Sequence, residues 1–330
     1  MTNEEQTVGA LGEAVVLAAI LERLGPASRA LVGPGDDAAV LDAASGRVVA
    51  TVDTLVHGPD FRLAWSSGYD LGWKAAAVNL ADVAAMGARP TALLVALTVP
   101  DETPLRLLTD MADGLRDACA ALAPGCAVEG GDLAVSPTLT IAVTALGVLD
   151  RASPVLRSGA RPGDVLALAG DAGRAAAGLR ILFDRFRDPE GVPVAVDATG
   201  LGIAQRGQLA AQLRPEPPIG LGVVAAAAGA TAMMDVSDGL ALDASRMAKA
   251  SGVTLDLATS ALGDDPATAL SGGEDHALLA AFPSDSVVPE GFRRIGAVLT
   301  RGDADVLVDG VPYAGRGGWD PYLEWDAAQG

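Results

Sequence analysis

Two hydrophobic periods alternate along this chain, and that alternation restricts the fold more than any other feature. Leu11, Val15, Ala18 and Leu21 recur at helical spacing and predict a helix over about 7–24, stopped by Gly25-Pro26. A turn-rich loop, Val32 to Leu41, follows, and then a β-branched strand from Val48 to Asp53. Ser66 or Ser67 can cap a helix over about 68–86, closed by Gly87 with Pro90 beyond. A strand (93–99), a helix (104–121), a strand ending in a tight turn at Gly130-Gly131-Asp132, and a strand (139–148) complete the first half. Around 151–163 the texture changes to a connector rich in Gly, Pro and Ser, and the domain boundary is placed at 150/151. The second half alternates likewise. A strand (165–169) and an Ala-rich helix precede a loop (188–202) and a rigid turn at Arg214–Pro218. Further strands follow at the Met233 segment, 253–257 and 277–282. Strands interleaved with helices in both halves make the class α/β or α+β, with no short repeat.

Composition removes several functions. There are 42 Asp and Glu against 23 Lys and Arg, a formal charge of −19, which argues against a general nucleic-acid binder and against an anionic membrane surface. No apolar run approaches the length of a bilayer-spanning helix, and the first five residues do not read as a secretion signal, so the expectation is a cytoplasmic protein without membrane partners. Two cysteines, Cys119 and Cys126, are too few for a disulfide framework or a zinc site. Two histidines leave little for His-based chemistry. The Walker pattern, the G-x-S-x-G elbow and HExxH are absent. Gly33 to Ala38 fits G-x-G-x-x-A, but its aspartates stand where a pyrophosphate would approach backbone amides.

What recurs instead is aspartate at a turn or strand end, beside glycine or a hydroxyl: Asp36-Asp37, Asp53, Asp82, Asp132, and Asp235-Val236-Ser237-Asp238-Gly239. Taken singly, each is ordinary turn chemistry, and Asp238 can simply cap the next helix. Asp53 ends an apolar strand, and Asp82 interrupts an apolar helix with Asn79 three residues earlier on the same face. Hard cations take several carboxylate oxygens, and magnesium commonly bridges carboxylates to phosphates. An acidic chain that handles phosphates needs such metals.

At this point the residues resemble a family. The runs Gly35-Asp36-Asp37-Ala38-Ala39, Asp53-Thr54-Leu55-Val56 and Lys74 to Ala88 resemble the thiamine-monophosphate kinases. So do Gly130-Gly131-Asp132, Arg157-Ser158-Gly159-Ala160, Asp235 to Leu240 and Ser271-Gly272-Gly273-Glu274-Asp275, all in family order. The resemblance implies the two-domain aminoimidazole ribonucleotide synthetase-like fold. Residues 1–150 would bind ATP and magnesium and pair their sheet across a homodimer. Residues 151–330 would form an α/β sandwich completing the substrate site. It implies direct transfer of the ATP γ-phosphoryl group to thiamine monophosphate. Asp36, Asp37, Thr51, Asp53, Asp82, Asp132, Asp235 and Asp238 then correspond to magnesium-site residues. Gly131, Asp132, Arg157 and Ser237 correspond to ATP contacts, and Asp60, Glu274 and Trp319 to substrate contacts. An aromatic face such as Trp319 attracts a cationic thiazolium, although a C-terminal residue packed on the core reads equally well. Two departures stand out: a histidine common in the family is Asp60 here, and a frequent Thr-Thr-Arg is Leu133-Ala134-Val135. The alternatives are a related ATP-dependent enzyme acting on another small phosphorylated metabolite, and a non-catalytic nucleotide-binding homologue.

Overall fold

The computed structural model describes residues 7–11, 13–24, 47–150, 153–315 and 317–318; Asp36, Asp37 and Trp319 lie outside them. Helices α1 (Val8–Leu11) and α2 (Glu13–Leu24) occupy the first helical segment. Strand β1 (Val48–Val56), helix α3 (Gly68–Ala85), strand β2 (Arg89–Val99), helix α4 (Leu105–Leu122) and strands β3 (Ala127–Val135) and β4 (Thr140–Val148) follow. The strands form a sheet in the order β1-β4-β2-β3, antiparallel except for the parallel β2–β3 pair. That pairing runs from Ala92↔Ala127 to Val99↔Val135, so Gly130-Gly131-Asp132 lies within a strand and not at the tight turn the sequence suggests. The register shifts at Glu129, and from Leu94↔Gly130 onward parallel pairing holds the segment extended through its two glycines.

The second sheet is built from β5 (Val165–Ala169), β6 (Ala232–Val236), β7 (Val253–Leu257), β8 (Ala277–Phe282), β9 (Phe292–Thr300), β10 (Val306–Val308) and β11 (Val311–Pro312), in the order β11-β10-β7-β9-β5-β8-β6. Helices α5 (Arg174–Arg185), α6 (Ile203–Leu213), α7 (Ile219–Ala227), α8 (Leu240–Ser251) and α9 (Pro266–Ser271) complete this half. The sequence reading assigned neither α6 nor α7. Helix α7, Ile-Gly-Leu-Gly-Val-Val-Ala-Ala-Ala, is apolar all round, so it offers no period to detect. Its inward side packs on α3, and Gly222 lets it approach the Ala84 carbonyl.

Helix α3 positions the site. A capping box starts it: Ser67 N–H donates to Asp70 Oδ2 (3.0 Å) and Asp70 N–H to Ser67 Oγ (3.2 Å). Fourteen of its eighteen residues are buried, six of them alanines that let it lie close to its neighbours. It packs on α4, on β1 and β4, and on β6 and β8 of the second sheet. Two indoles pin the same region to the second half: Trp65 Nε1 donates to Phe186 O (2.9 Å) and Trp73 Nε1 to Pro215 O (2.8 Å). Such donors need partners away from water, and these contacts tie α3 and the loop before it to the segments that follow α5 and α6. Among the described residues no helix is long and apolar enough to cross a membrane.

Candidate active site

The alternation of β1 determines which of its side chains reach α3. Thr51 and Asp53 are two residues apart and share the face turned toward that helix, with Val49 before them and Leu55 after them packed on the core. On α3, Asn79 and Asp82 are three apart and share a face. The two pairs interlock. Thr51 Oγ1 donates to Asp82 Oδ2 (2.8 Å), and the Asp53 backbone N–H donates to Asn79 Oδ1 (3.0 Å). Asn79 is 1 % exposed and gives its own Nδ2 proton to Ala75 O (2.9 Å). Sequence reading noticed Asn79 only as a neighbour of Asp82; its role is to hold the strand segment that carries Asp53.

Asp235 comes from the other sheet, near the end of β6 opposite Leu278 of β8. His276 Nδ1 is 3.2 Å from Asp235 Oδ2, while its buried Nε2 has no partner. Burial alone lowers the His276 pKa, but the hydrogen bond to Asp235 and the charges of Asp235 and Glu274 outweigh it, and the net shift is upward. The imidazole is thus biased toward the protonated form beside a carboxylate. Nothing local in the sequence pairs His276 with Asp235, 41 residues away.

The carboxylates of the two sheets sense one another. Burial, and next the charge of Asp235, push Asp82 up to about 7. Asp53 is raised by loss of water and by Asp235, Glu274 and Asp238, with His276 opposing. Asp53 and Asp60 keep a solvent-facing edge, yet water is withdrawn from the rest of each carboxyl, and Asp60 is also raised. Asp60 caps the end of β1, accepting from the Val56 N–H (2.7 Å), and lies within electrostatic reach of Glu274, Lys74 and Asp53.

Glu274 sits on a loop wedged against the β6–α8 turn. A Cβ on Gly273 would collide with the Ser237 carbonyl, so only glycine permits that approach. The Glu274 N–H donates to Ser237 O (2.7 Å). Both Glu274 (φ 73) and His276 (φ 51) adopt left-handed backbone, a strained state for residues with side chains. The Glu274 carboxylate pairs with Lys74 of α3. Burial would raise its pKa, but the charges of Lys74 and His276 win and hold it below the usual range.

Other expected residues lie differently. Asp238 Oδ2 is engaged by Arg246 Nη1 (2.6 Å), which also binds buried Asp243 (2.6 Å). The Asp238 N–H donates to Asp243 Oδ2 (3.0 Å), so Asp243 organises the turn. Arg157 is exposed on the connector, next to Leu156, whose carbonyl accepts from the Met233 N–H of edge strand β6 (3.2 Å); the Arg157 carbonyl accepts from Ser251 Oγ (2.9 Å). Asp132 is not with the others. Register runs Asp53↔Val143, Val143↔Val95, Val95↔Gly131, so Asp132 lies three strands from β1, about 14 Å away at the usual strand spacing. It is paired with exposed Ala96, on the sheet face opposite to that of Thr51 and Asp53, and Gly131 is its neighbour on the same strand.

Among the described residues no three acidic, histidine or cysteine side chains stand close enough to cage a cation unaided. Thr51, Asp53, Asp82 and Asp235 supply hard oxygens; Thr51 bonds Asp82, and the three carboxylates repel one another electrostatically. That set suits magnesium, which commonly takes one or two carboxylates and completes its shell with water and substrate phosphate.

The model of the AIR synthase related protein N-terminal domain matches residues 35–149. The thiamine-monophosphate kinase of Mycobacterium tuberculosis is 42 % identical over 341 residues, covering 99 % of this chain and 96 % of its own length. That of Corynebacterium glutamicum is 40 % identical, covering 95 % and 94 %. Among solved structures, thiamine-monophosphate kinase from Stenotrophomonas maltophilia superposes with a TM-score of 0.73 at 32 % identity, over 90 % of this chain and 95 % of that one. AaThiL complexed with AMPPCP and TMP gives a TM-score of 0.72 at 29 % identity, over 94 % and 97 %. With the motifs in order along nearly its whole length, this chain belongs to the thiamine-monophosphate kinase family.

Proposed function

We propose that this protein transfers the γ-phosphoryl group of ATP directly to thiamine monophosphate, giving thiamine diphosphate. One observation carries the reading: Asp53, Asp82 and Asp235, from three elements, raise one another's cost of ionisation in a chain 42 % identical over 99 % of its length to a thiamine-monophosphate kinase. Phosphoryl transfer asks for in-line placement and charge neutralisation more than for covalent chemistry. The acceptor is a phosphate, already ionised near neutral pH, so the chain need not supply a general base.

In this reading Asp53, Asp82 and Asp235 hold magnesium, with Asp36 and Asp37 as further candidates. Magnesium, when bound, supplies positive charge that offsets the repulsion between two phosphate chains. The chain's own groups do the positioning. Thr51 orients Asp82, Asn79 fixes the strand at Asp53, and His276 holds Asp235. Asp238, already bound by Arg246, acts in shaping the turn that presents Ser237. Glu274 and Asp60 offer negative charge to the cationic thiazolium, and Trp319 is a candidate aromatic face for it.

The reading includes a homodimer in which residues 1–150 pair and 151–330 complete the substrate site. Two features support it. The face of the first sheet away from α3 exposes Val48 (54 %) and Val52 (59 %). Asp132 and Ala96 share that face, so a second copy could bring Asp132 to a partner's site. A cytoplasmic location, where ATP and magnesium are supplied, accompanies the reading. The test is incubation with ATP, magnesium and thiamine monophosphate, with product identification. Thiamine diphosphate supports the proposal. ADP formed only with another acceptor, or nucleotide binding without turnover, refutes it in favour of the alternatives.

A further inference from the structure

This chain uses arginine almost throughout: of 23 basic residues only Lys74 and Lys249 are lysines, leaving 21 arginines. Lys74 is 5 % exposed, an environment lysine enters only when paired. It lies on α3, eight residues before Asp82, and at 1.5 Å rise per residue the two stand about 12 Å apart along one helix. In the kinase reading Asp82 marks the phosphate end of the site. Lys74 therefore marks a point one small-molecule length away from it.

Two groups of the second half hold the ammonium. One is the carboxylate of Glu274. The other is Gln212 of α6. With its amide oriented to satisfy both neighbours, Gln212 accepts from Lys74 Nζ (3.3 Å) and donates to Ala175 O (3.0 Å). Glu274 is held in turn at a left-handed φ by its backbone bond to Ser237 and by Gly273 behind it. Such a strained conformation persists only where the surroundings over-determine it. Yet the Glu274 side chain is 42 % exposed and Asp60 lies within electrostatic reach, so carboxylate faces the open side of the cleft.

We infer that Lys74 is a positioning residue for acceptor recognition: it aims the Glu274 carboxylate so that its open edge receives the cationic heteroaromatic end of the acceptor, about 12 Å from the phosphate end. Lys74 itself does not touch the reacting atoms. The inference rests on the kinase reading above and adds a specificity device to it.

The test is a titration of thiamine monophosphate, with magnesium and a non-hydrolysable ATP analogue, into the full chain and its Lys74→Met, Glu274→Gln and double variants. Lys74→Met is expected to weaken thiamine monophosphate binding at least tenfold while the affinity for the ATP analogue changes less than twofold. The double variant is expected to bind no worse than the weaker single one, because both act through one carboxylate. A purely structural role would lower both affinities together. Unchanged acceptor affinity in Lys74→Met, equal loss for both ligands, or additive losses in the double variant would overturn the inference. If Lys74→Met alone does not fold, the double variant, which leaves neither charge unpaired, must show the same selective tenfold loss. An unaltered chain that binds thiamine monophosphate but never phosphorylates it defeats the kinase reading alone. One that phosphorylates it while Lys74→Met binds it normally defeats the inference alone. An unaltered chain that does not bind it defeats both.

Discussion

Replacing Asp82 with asparagine separates the two things its carboxylate does. Asp82→Asn keeps an oxygen that can accept from Thr51 Oγ1 but removes the charge that opposes Asp235 and Asp53. The Asp82 pKa is raised from 3.8 to about 7, so the folded state holds a proton that the unfolded chain has released across that interval. Stability in chelator therefore falls as pH rises from about 4 to about 7, and the whole cost is present at pH 8. At about 1.4 kcal/mol per pH unit the ceiling is about 4 kcal/mol. Shared titration with Asp235 and Asp53 and residual solvent screening bring the expected effect to about 1–3 kcal/mol. Asp82→Asn should thus be more stable than the unaltered chain in EDTA at pH 8, by about 2–6 °C in melting temperature, and the gain should vanish near pH 4. Adding magnesium and ATP should stabilise the unaltered chain and do much less for the variant, whose turnover should collapse. Differential scanning fluorimetry over a pH series, with and without chelator, reads all of this. A variant less stable than the unaltered chain in EDTA at pH 8, or one with an undiminished magnesium response, would refute the assignment of Asp82 to a charge-strained cation site.

Other expectations follow from the same contacts. Asn79→Leu strips a partner from the Asp53 N–H and should cost about 1–3 kcal/mol in chemical denaturation, with lower turnover. Asp53→Asn and Asp132→Asn should each collapse turnover with circular dichroism unchanged; near-normal rates in either would count against the carboxylate site. Because Asp132 lies on the opposite sheet face from Asp53, mixed Asp53→Asn and Asp132→Asn subunits should regain measurable activity, and none on mixing would argue that one protomer suffices. Without divalent metal, ATP binding by calorimetry should be weaker by at least tenfold.

The sequence was informative where a signal is local. The β-branched run of β1 and the Ser67 cap with Gly87 beyond α3 are local signals, and both elements stand where those signals put them. The family motifs point to Asp53, Asp82, Asp235 and Glu274, and the charges of Asp235 and Glu274 act on Asp53 as that of Asp235 acts on Asp82. What escaped depends on distant pairing. Nothing near His276 points to Asp235, nothing near Lys74 points to Glu274, and Arg246 takes Asp238 only because α8 turns it back. The position of Asp132 is set by strand order and by which side of a parallel pair its side chain takes, neither of which a motif encodes. Helix α7 is uniformly apolar, so its pattern is silent. Cys119 and Cys126 are free thiols buried around the end of α4.

The most direct measurement follows the transferred group itself. ATP labelled in its γ-phosphoryl group, incubated with magnesium, thiamine monophosphate and this protein, should deliver the label to the terminal phosphate of thiamine diphosphate. Excess EDTA should abolish the transfer. Label appearing only as inorganic phosphate, or transfer that persists unchanged in chelator, would contradict the account.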